Sequence, residues 1–196
     1  ADEKVWSYEA GVKTTLFDRR LLLNVAAFWT DVKNFQDTVF TGGPLGFITF
    51  NGPARSRGVE VESVFQPNRH LRFNLGLTYA DADGVIQPID ATGFPAVDGS
   101  GNPVFARYRK SQAPKLIVNL GANYDGPLTG TLDWSAGASL RHRSSMFNQR
   151  QELFLSKQLT TVDLSLGVKS SDDRWGLDLV ARNVGNAISQ DFASPS

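Results

Sequence analysis

Apolar and polar residues alternate along this chain with a period of two, and the alternation restarts after each short cluster of turn residues. Trp6, Tyr8, Ala10, Val12, Thr14 and Leu16 share one side of a first extended segment, and Ser7, Glu9, Gly11, Lys13 and Thr15 share the other. After Phe17-Asp18-Arg19-Arg20 the return strand carries Leu21, Leu23, Val25, Ala27 and Trp29 on one face and continues through a more polar stretch to about Phe40. A Gly-Gly-Pro loop at 42–44 reverses it, and a third segment over 47–66 sets Val59, Val61 and Phe65 against Gly58, Glu60 and Glu62. Pro67-Asn68-Arg69 makes the next short turn, before Leu71, Phe73, Leu75, Leu77 and Tyr79 give the cleanest alternation in the chain. Later segments repeat the scheme through Leu116 to Tyr124, Leu132 to Leu140, Val162 to Val168 and Leu177 to Ala181. The pattern predicts an all-β protein, an antiparallel meander of about eight strands. Short turns, including Gly126-Pro127 and Ser171-Asp172-Asp173, alternate with long loops at about 83–110, 146–157 and from 185 onward.

A half-buried soluble sheet also alternates, so the period alone does not choose a solvent. The distribution of charge does. The apolar faces exclude charge over the stretch nearest each short turn, while the opposite faces carry it freely. A Lys or Arg facing the middle of a bilayer costs about 2–4 kcal/mol, which supplies a cause for that exclusion. Arg57, in phase with Val59, is the exception; it lies far from its turn, where snorkelling or a bulge at Gly58 lowers the cost. Aromatic residues fall at two heights: Trp6, Tyr8, Trp29 and Tyr79 far from the short turns, and Phe17, Phe65, Tyr124, Trp134 and Trp175 near them. Two such girdles, with short connections on one side and long ones on the other, describe an outer-membrane β-barrel wall. The rival soluble β-sandwich or lipocalin-like barrel does not account for loops so unequal.

Composition narrows the remaining classes. The 196 residues hold 20 basic and 20 acidic side chains without a basic block, which argues against nucleic acid as a partner. Without cysteine there is neither disulfide scaffold nor thiol chemistry. No apolar run is long enough for a membrane-spanning helix, but a barrel strand crosses with about 9–11 residues, half of them polar. Ala-Asp-Glu-Lys at the start lacks the features of a signal peptide, so a mature or internal segment is expected.

Candidate chemistry is sparse. Glu60 and Glu62, two apart on one strand, share a face as acid/base carboxylates would, but no companion group is placed beside them; lumen-facing charge is the preferred reading, together with Arg141, Asp163 and Arg182. His70 and His142 lack metal-ligand spacing with any other donor. Asp98, Ser100 and Asn102 begin like a calcium loop, but no carboxylate closes it, and a Gly-rich turn explains the run better. Neither a catalytic centre, a metal site nor a cofactor is expected. The long loops offer more: Phe94, Phe105, Arg107, Tyr108, Arg109, Met146, Phe147, Asn148, Gln149 and Arg150 mix aromatic and cationic groups suited to an anionic, partly aromatic ligand. Ordinary packing over the barrel mouth is the alternative for each of them singly.

Several stretches carry a family resemblance: Tyr8-Glu9-Ala10-Gly11-Val12-Lys13 with Leu22-Leu23-Asn24-Val25-Ala26-Ala27-Phe28 and Asn34-Phe35-Gln36; Asn51 followed by Arg57-Gly58-Val59-Glu60-Val61-Glu62; Ala113-Pro114 leading to Asn119-Leu120-Gly121; and Ala181-Arg182-Asn183-Val184. In this order and spacing the chain resembles the C-terminal part of the barrel of TonB-dependent outer-membrane receptors, over essentially its whole length. The resemblance implies a segment of a 22-stranded transmembrane barrel, with residues 1–196 forming a partial barrel that lacks the plug domain, the N-terminal strands and the last strand. It implies location in the bacterial outer membrane, contact with lipid and with the receptor's own plug, energy from TonB, and import of a scarce ligand such as a ferric siderophore. A partial barrel should form a curved sheet with two bare edges. A passive porin-like channel and, behind it, a soluble β-rich binding protein are the alternatives.

Overall fold

The computed structural model describes residues 2–40, 45–148 and 154–189. The strands in chain order are β1 (Lys4–Leu16), β2 (Leu21–Phe40), β3 (Phe47–Phe65), β4 (Leu71–Ile86), β5 (Ala106–Arg109), β6 (Leu116–Pro127), β7 (Leu132–Arg143), β8 (Met146–Phe147), β9 (Leu155–Ser156), β10 (Leu159–Ser170) and β11 (Gly176–Ala181). There is no helix among the described residues. Strands β1-β2-β3-β4-β6-β7-β10-β11 hydrogen-bond in that order, β5 joins the outer end of β4, and β8 and β9 pair separately. All of the pairings are antiparallel. This is the predicted eight-strand meander.

The register explains why the alternation matters. One cross-strand row runs Leu16, Leu21, Phe65, Phe73, Ala122, Ala138, Leu164, Ala181, apolar on every strand. A row on the opposite face runs Lys13, Asn24, Glu62, Gly76, Asn119, Arg141, Thr161 and has no apolar side chain. A slip of one residue at any hairpin would carry that strand's polar set onto the apolar face, so the eight strands specify one another's register. The first row also measures the tilt. It starts at Leu16, at the short-turn end of β1, yet on β10 it meets Leu164, about 20 Å short of Ser170 at about 3.4 Å per residue. Over a sheet width of about 29 Å, at about 4.8 Å per strand, this is a slope of about 35°, the inclination of membrane barrel strands.

The chain has no conventional core. Its solvent-accessible surface is 13021 Å², against about 9,100 Å² for a compact monomer of its 21.4 kDa mass. Ala54 and Ile86 are the only buried apolar side chains among the described residues, whereas Val12, Leu177 and Leu179 are 67%, 73% and 72% exposed. A soluble sandwich would have folded its apolar face inward; this sheet leaves the face open.

The turn at 17–20 follows the sequence reading, with left-handed backbone at Phe17, Asp18 and Arg19 and a 3.0 Å bond from the Arg20 N–H to the Phe17 carbonyl. Positive φ at both central residues matches the twist of the flanking strands. Two other turn assignments are corrected. Gly126-Pro127 belongs to β6, and the reversal occurs at 128–131, closed by the Leu128 and Thr129 N–H groups on the Leu132 carbonyl at 2.8 and 3.0 Å. Gly126 suits this crowded spot, since a Cβ there would lie 2.8 Å from both His70 Nδ1 and Tyr124 Oη and one of those side chains would have to shift. Likewise Asp83-Gly84 does not open a loop: β4 continues to Ile86, paired with β3 on one side and β5 on the other.

Candidate functional site

The two faces of the sheet carry different chemistry. On the apolar face, near the short turns, Tyr124 packs on Trp134 with ring centroids 4.7 Å apart, His70 stacks on Tyr124 at 6.0 Å, and Phe65 stacks on Phe73 at 6.2 Å. At the other end Tyr8 pairs with Trp29 and Val59 with Tyr79, so the outer aromatics also form one belt. Beyond that belt charge begins. Asp31 accepts from Arg55 Nε and from Trp29 Nε1, each at 2.7 Å, and Asp81 meets Lys115 at 2.6 Å and Arg57 at 3.6 Å. Arg55 and Arg57 both lie over the Trp29 ring. The exceptional Arg57 is thus a member of an ion-paired rim above the apolar band.

On the polar face Glu60, Glu62, Arg141 and Asp163 lie at inward strand positions, and Arg182 continues that face just after β11. Glu62 and Arg141 line one groove of about 410 Å³ with Asn24, Asn74 and Asn119, floored by Gly76 and Gly121. Asn24 Nδ2 donates to Glu62 at 3.5 Å, and its Oδ1 is buried without a partner. Asp163 and Arg182 line a second groove of about 330 Å³, where Asp163 also accepts the Asn183 N–H at 2.7 Å. Glu60 is outside both, flanked by Ala26 and Thr78. Side chains of both charges, spread over a wall and separated by amides and glycines, suit contact with another polar surface and do not assemble acid/base machinery.

The loop residues divide. Arg109 lies over the Phe147 ring at 5.4 Å, and the Gln112 N–H donates to the Phe147 carbonyl at 2.7 Å, so the segment after β5 docks on β8. Asn148 closes the β8–β9 ribbon through its N–H on the Phe154 carbonyl at 2.9 Å. Gln149 and Arg150 lie outside the described residues. Alternation along β5 sends Tyr108 to the inner side with Gly84, but Arg107 to the outer side, where it pairs with Asp83. Phe94 and Phe105 are 44% and 62% exposed.

Sequence reasoning missed two features here. Lys110 is half-buried beside Tyr108; its Nζ sits 3.6 Å from the Phe35 ring centroid and 3.5 Å from Asp37 Oδ2, and burial pulls its pKa below the ordinary lysine range. Gly84 clears its path, since a Cβ there would stand 3.1 Å from Lys110 Cε. The second is a tandem turn, Ile89-Asp90-Ala91-Thr92-Gly93-Phe94-Pro95 and Val97-Asp98-Gly99-Ser100-Gly101-Asn102-Pro103. Each repeat is closed by a bridge between its first and last residues, with its glycine at positive φ. Each Asp caps backbone N–H groups: Asp90 those of Thr92 and Phe94, Asp98 those of Ser100 and Asn102. The run over Asp98, Ser100 and Asn102, expected to be a Gly-rich turn, is such a turn, its carboxylate engaged by its own backbone. The repeat, visible as I/V-D-x-S/T-G-x-P spaced eight apart, was the available signal.

A tilted sheet with a continuous uncharged outer band, two aromatic belts and a polar inner face is the wall of an outer-membrane β-barrel. A family model described as TonB dependent receptor-like, beta-barrel, matches residues 1–184, and the chain belongs to that family. Its members are outer-membrane transporters, not enzymes. The fold is similar to the crystal structure of BauA, the ferric preacinetobactin receptor from Acinetobacter baumannii, with a TM-score of 0.65 and 17% identity over 95% of this chain. The chain spans 26% of the length of that protein.

Proposed function

We propose that this chain forms one arc of the barrel of an active outer-membrane importer whose ligand is a scarce chelate such as a ferric siderophore. The observation that carries the reading is the two-sided wall: a polar inner face, grooved and charged along its length, backed by an apolar outer face on all eight strands. Glu60, Glu62, Arg141, Asp163 and Arg182 face a plug domain, and remodelling of that plug by TonB admits the ligand. Capture takes place on the outer loops, where Arg109 and Phe147 combine charge with an aromatic plane and Tyr108, Phe94, Phe105, Arg107, Asn148, Gln149 and Arg150 supply further contacts. The complete barrel has 22 strands. Support comes from the family to which the chain belongs and from the ligand named for the structurally similar receptor.

The test is uptake by cells whose sole ferric siderophore receptor is the full-length parent of this chain. Growth on the chelate under iron limitation should require both the receptor and TonB. Uptake that persists at the same rate without TonB would replace this reading with that of a passive channel.

A further inference from the structure

The last rung of the ladder between β4 and β6 is completed by a side chain. The Asp125 N–H donates to the His70 carbonyl at 2.9 Å, as an antiparallel pair requires, but the return bond is missing because the His70 N–H donates to Asn68 Oδ1 at 2.9 Å. The imidazole takes its place, with Nδ1 2.7 Å from the Asp125 carbonyl oxygen. Its other nitrogen, Nε2, accepts from Arg69 Nε at 2.8 Å. A guanidinium only donates, so Nε2 carries no proton, and Nδ1 must then be the N–H that donates to Asp125. The two contacts together select one protonation state of the ring, the neutral Nδ1–H tautomer. Stacking on Tyr124 holds the ring there, and Gly126 leaves it room, since a Cβ at that position would stand 2.8 Å from Nδ1.

Uptake of a proton acts on these two bonds unequally. The Nδ1–H bond to Asp125 survives it. The bond from Arg69 does not, because Nε2 becomes a donor and the ring a second cation facing the guanidinium. Among the described residues Arg69 makes no ion pair and no other side-chain hydrogen bond, so nothing else retains it. Asp125 on β6, Asp133 on β7, Lys169 on β10 and Asp178 on β11 share with His70 a groove of about 360 Å³. Lys169 is occupied by Asp173 at 2.7 Å, so the three carboxylates supply counter-charge for a protonated ring. From the neighbouring turn Arg20 bonds the Pro67 carbonyl at 3.1 Å, which ties the backbone of the turn independently of Arg69. We propose that His70 is a pH-sensitive clasp on the short-turn rim: neutral, it completes the β4–β6 ladder and holds Arg69; protonated, it keeps the ladder and releases the guanidinium. The inference goes beyond import: it concerns the rim opposite the long loops and stands whatever the cargo.

The experiment uses the full-length receptor with isotopically labelled histidine, read by solid-state nitrogen NMR of proteoliposomes at about pH 8 and about pH 5, the two ends of the range in which imidazoles change charge. The His70 signals are those absent from His70→Gln. At the higher pH Nδ1 should be protonated and Nε2 bare; at the lower both should be protonated. In detergent, phenylglyoxal modification of the exposed Arg69 is measured by peptide mass spectrometry against that of Arg19, also exposed, so that the effect of pH on the reagent cancels. The Arg69-to-Arg19 ratio of wild type should rise about fivefold from the higher pH to the lower, the loss of one hydrogen bond, and that of His70→Gln should be the same at both. If the glutamine variant fails to assemble, Arg69→Gln identifies the His70 signals by their displacement, and the wild-type tautomer and ratio still decide. An Nε2–H tautomer at the higher pH, a wild-type ratio that does not change, or an equal change in His70→Gln would overturn the proposal.

Discussion

Arg109 rests its guanidinium over the ring of Phe147, 5.4 Å from the centroid, and so ties the excursion after β4 to the ribbon after β7. The two residues are far apart in sequence, yet each lies in a patch that mixes cationic and aromatic groups. A cation–π contact at an exposed site contributes about 0.5–1 kcal/mol. In a double-mutant cycle on ligand affinity of the full-length receptor, Arg109→Ala and Phe147→Ala should therefore be non-additive by about that amount. Strict additivity would mean that the contact does not organise the outer loops for the proposed capture of ligand.

The row from Leu16 to Ala181 predicts where charge is intolerable. Leu75 and Leu120 face each other within the apolar band, while Gly76 and Asn119, one residue along each strand, face the inner groove. Leu120→Arg should cost about 2–4 kcal/mol and deplete the folded barrel. Asn119→Arg should assemble normally. Heat-modifiable migration on gels reads both, and equal assembly of the two would contradict the assignment of the faces.

Most of the fold was legible because a membrane wall writes its two solvents onto alternate residues: Leu71 to Tyr79 and Leu116 to Tyr124 could be assigned from sequence and fall in register in the structure. The misread places share one cause. Gly84 and Gly126 looked like turn residues, but both are paired in strands, where the end of Lys110 and the His70 and Tyr124 side chains crowd the position of a Cβ. Lys110 and His70 are distant in sequence from the glycines they crowd, which local pattern cannot show. For the same reason the loop patch was legible as composition but not as geometry. Nothing local says that Arg107 turns outward to Asp83 while Arg109 meets Phe147.

Gly58 gives a sharper instance. A Cβ there would fall 2.1 Å from the Tyr79 carbonyl oxygen and 2.8 Å from Phe28 Cζ, because the Phe28 ring lies across it on the inner face. Backbone must move to admit even a methyl group, so Gly58→Ala should reduce the yield of folded barrel. Gly99→Ala, with nothing within 4 Å of the added atom, should not. Restoration of assembly by Phe28→Ala in the Gly58→Ala background would leave the ring as the obstacle; no restoration would leave the Tyr79 carbonyl.

The tandem turns at 89–95 and 97–103 should loosen in acid. The Thr92 hydroxyl, with the Phe94 N–H, holds the Asp90 carboxyl below its usual range, and the Asn102 N–H and side-chain amide do the same for Asp98. A carboxyl with a depressed folded pKa contributes stability above its unfolded value, 3.8, and loses it as pH falls through the lower folded value. Both turns should therefore keep constant protection from neutrality down to about pH 4 and open only below it. Hydrogen exchange of the Thr92, Phe94, Ser100 and Asn102 amides, corrected for the intrinsic rate at each pH, reads this directly. Asp98→Asn should remove the acid transition from the second turn alone, since the repeats are closed by separate bridges. Loss of both transitions together would mean that the two turns open as one unit.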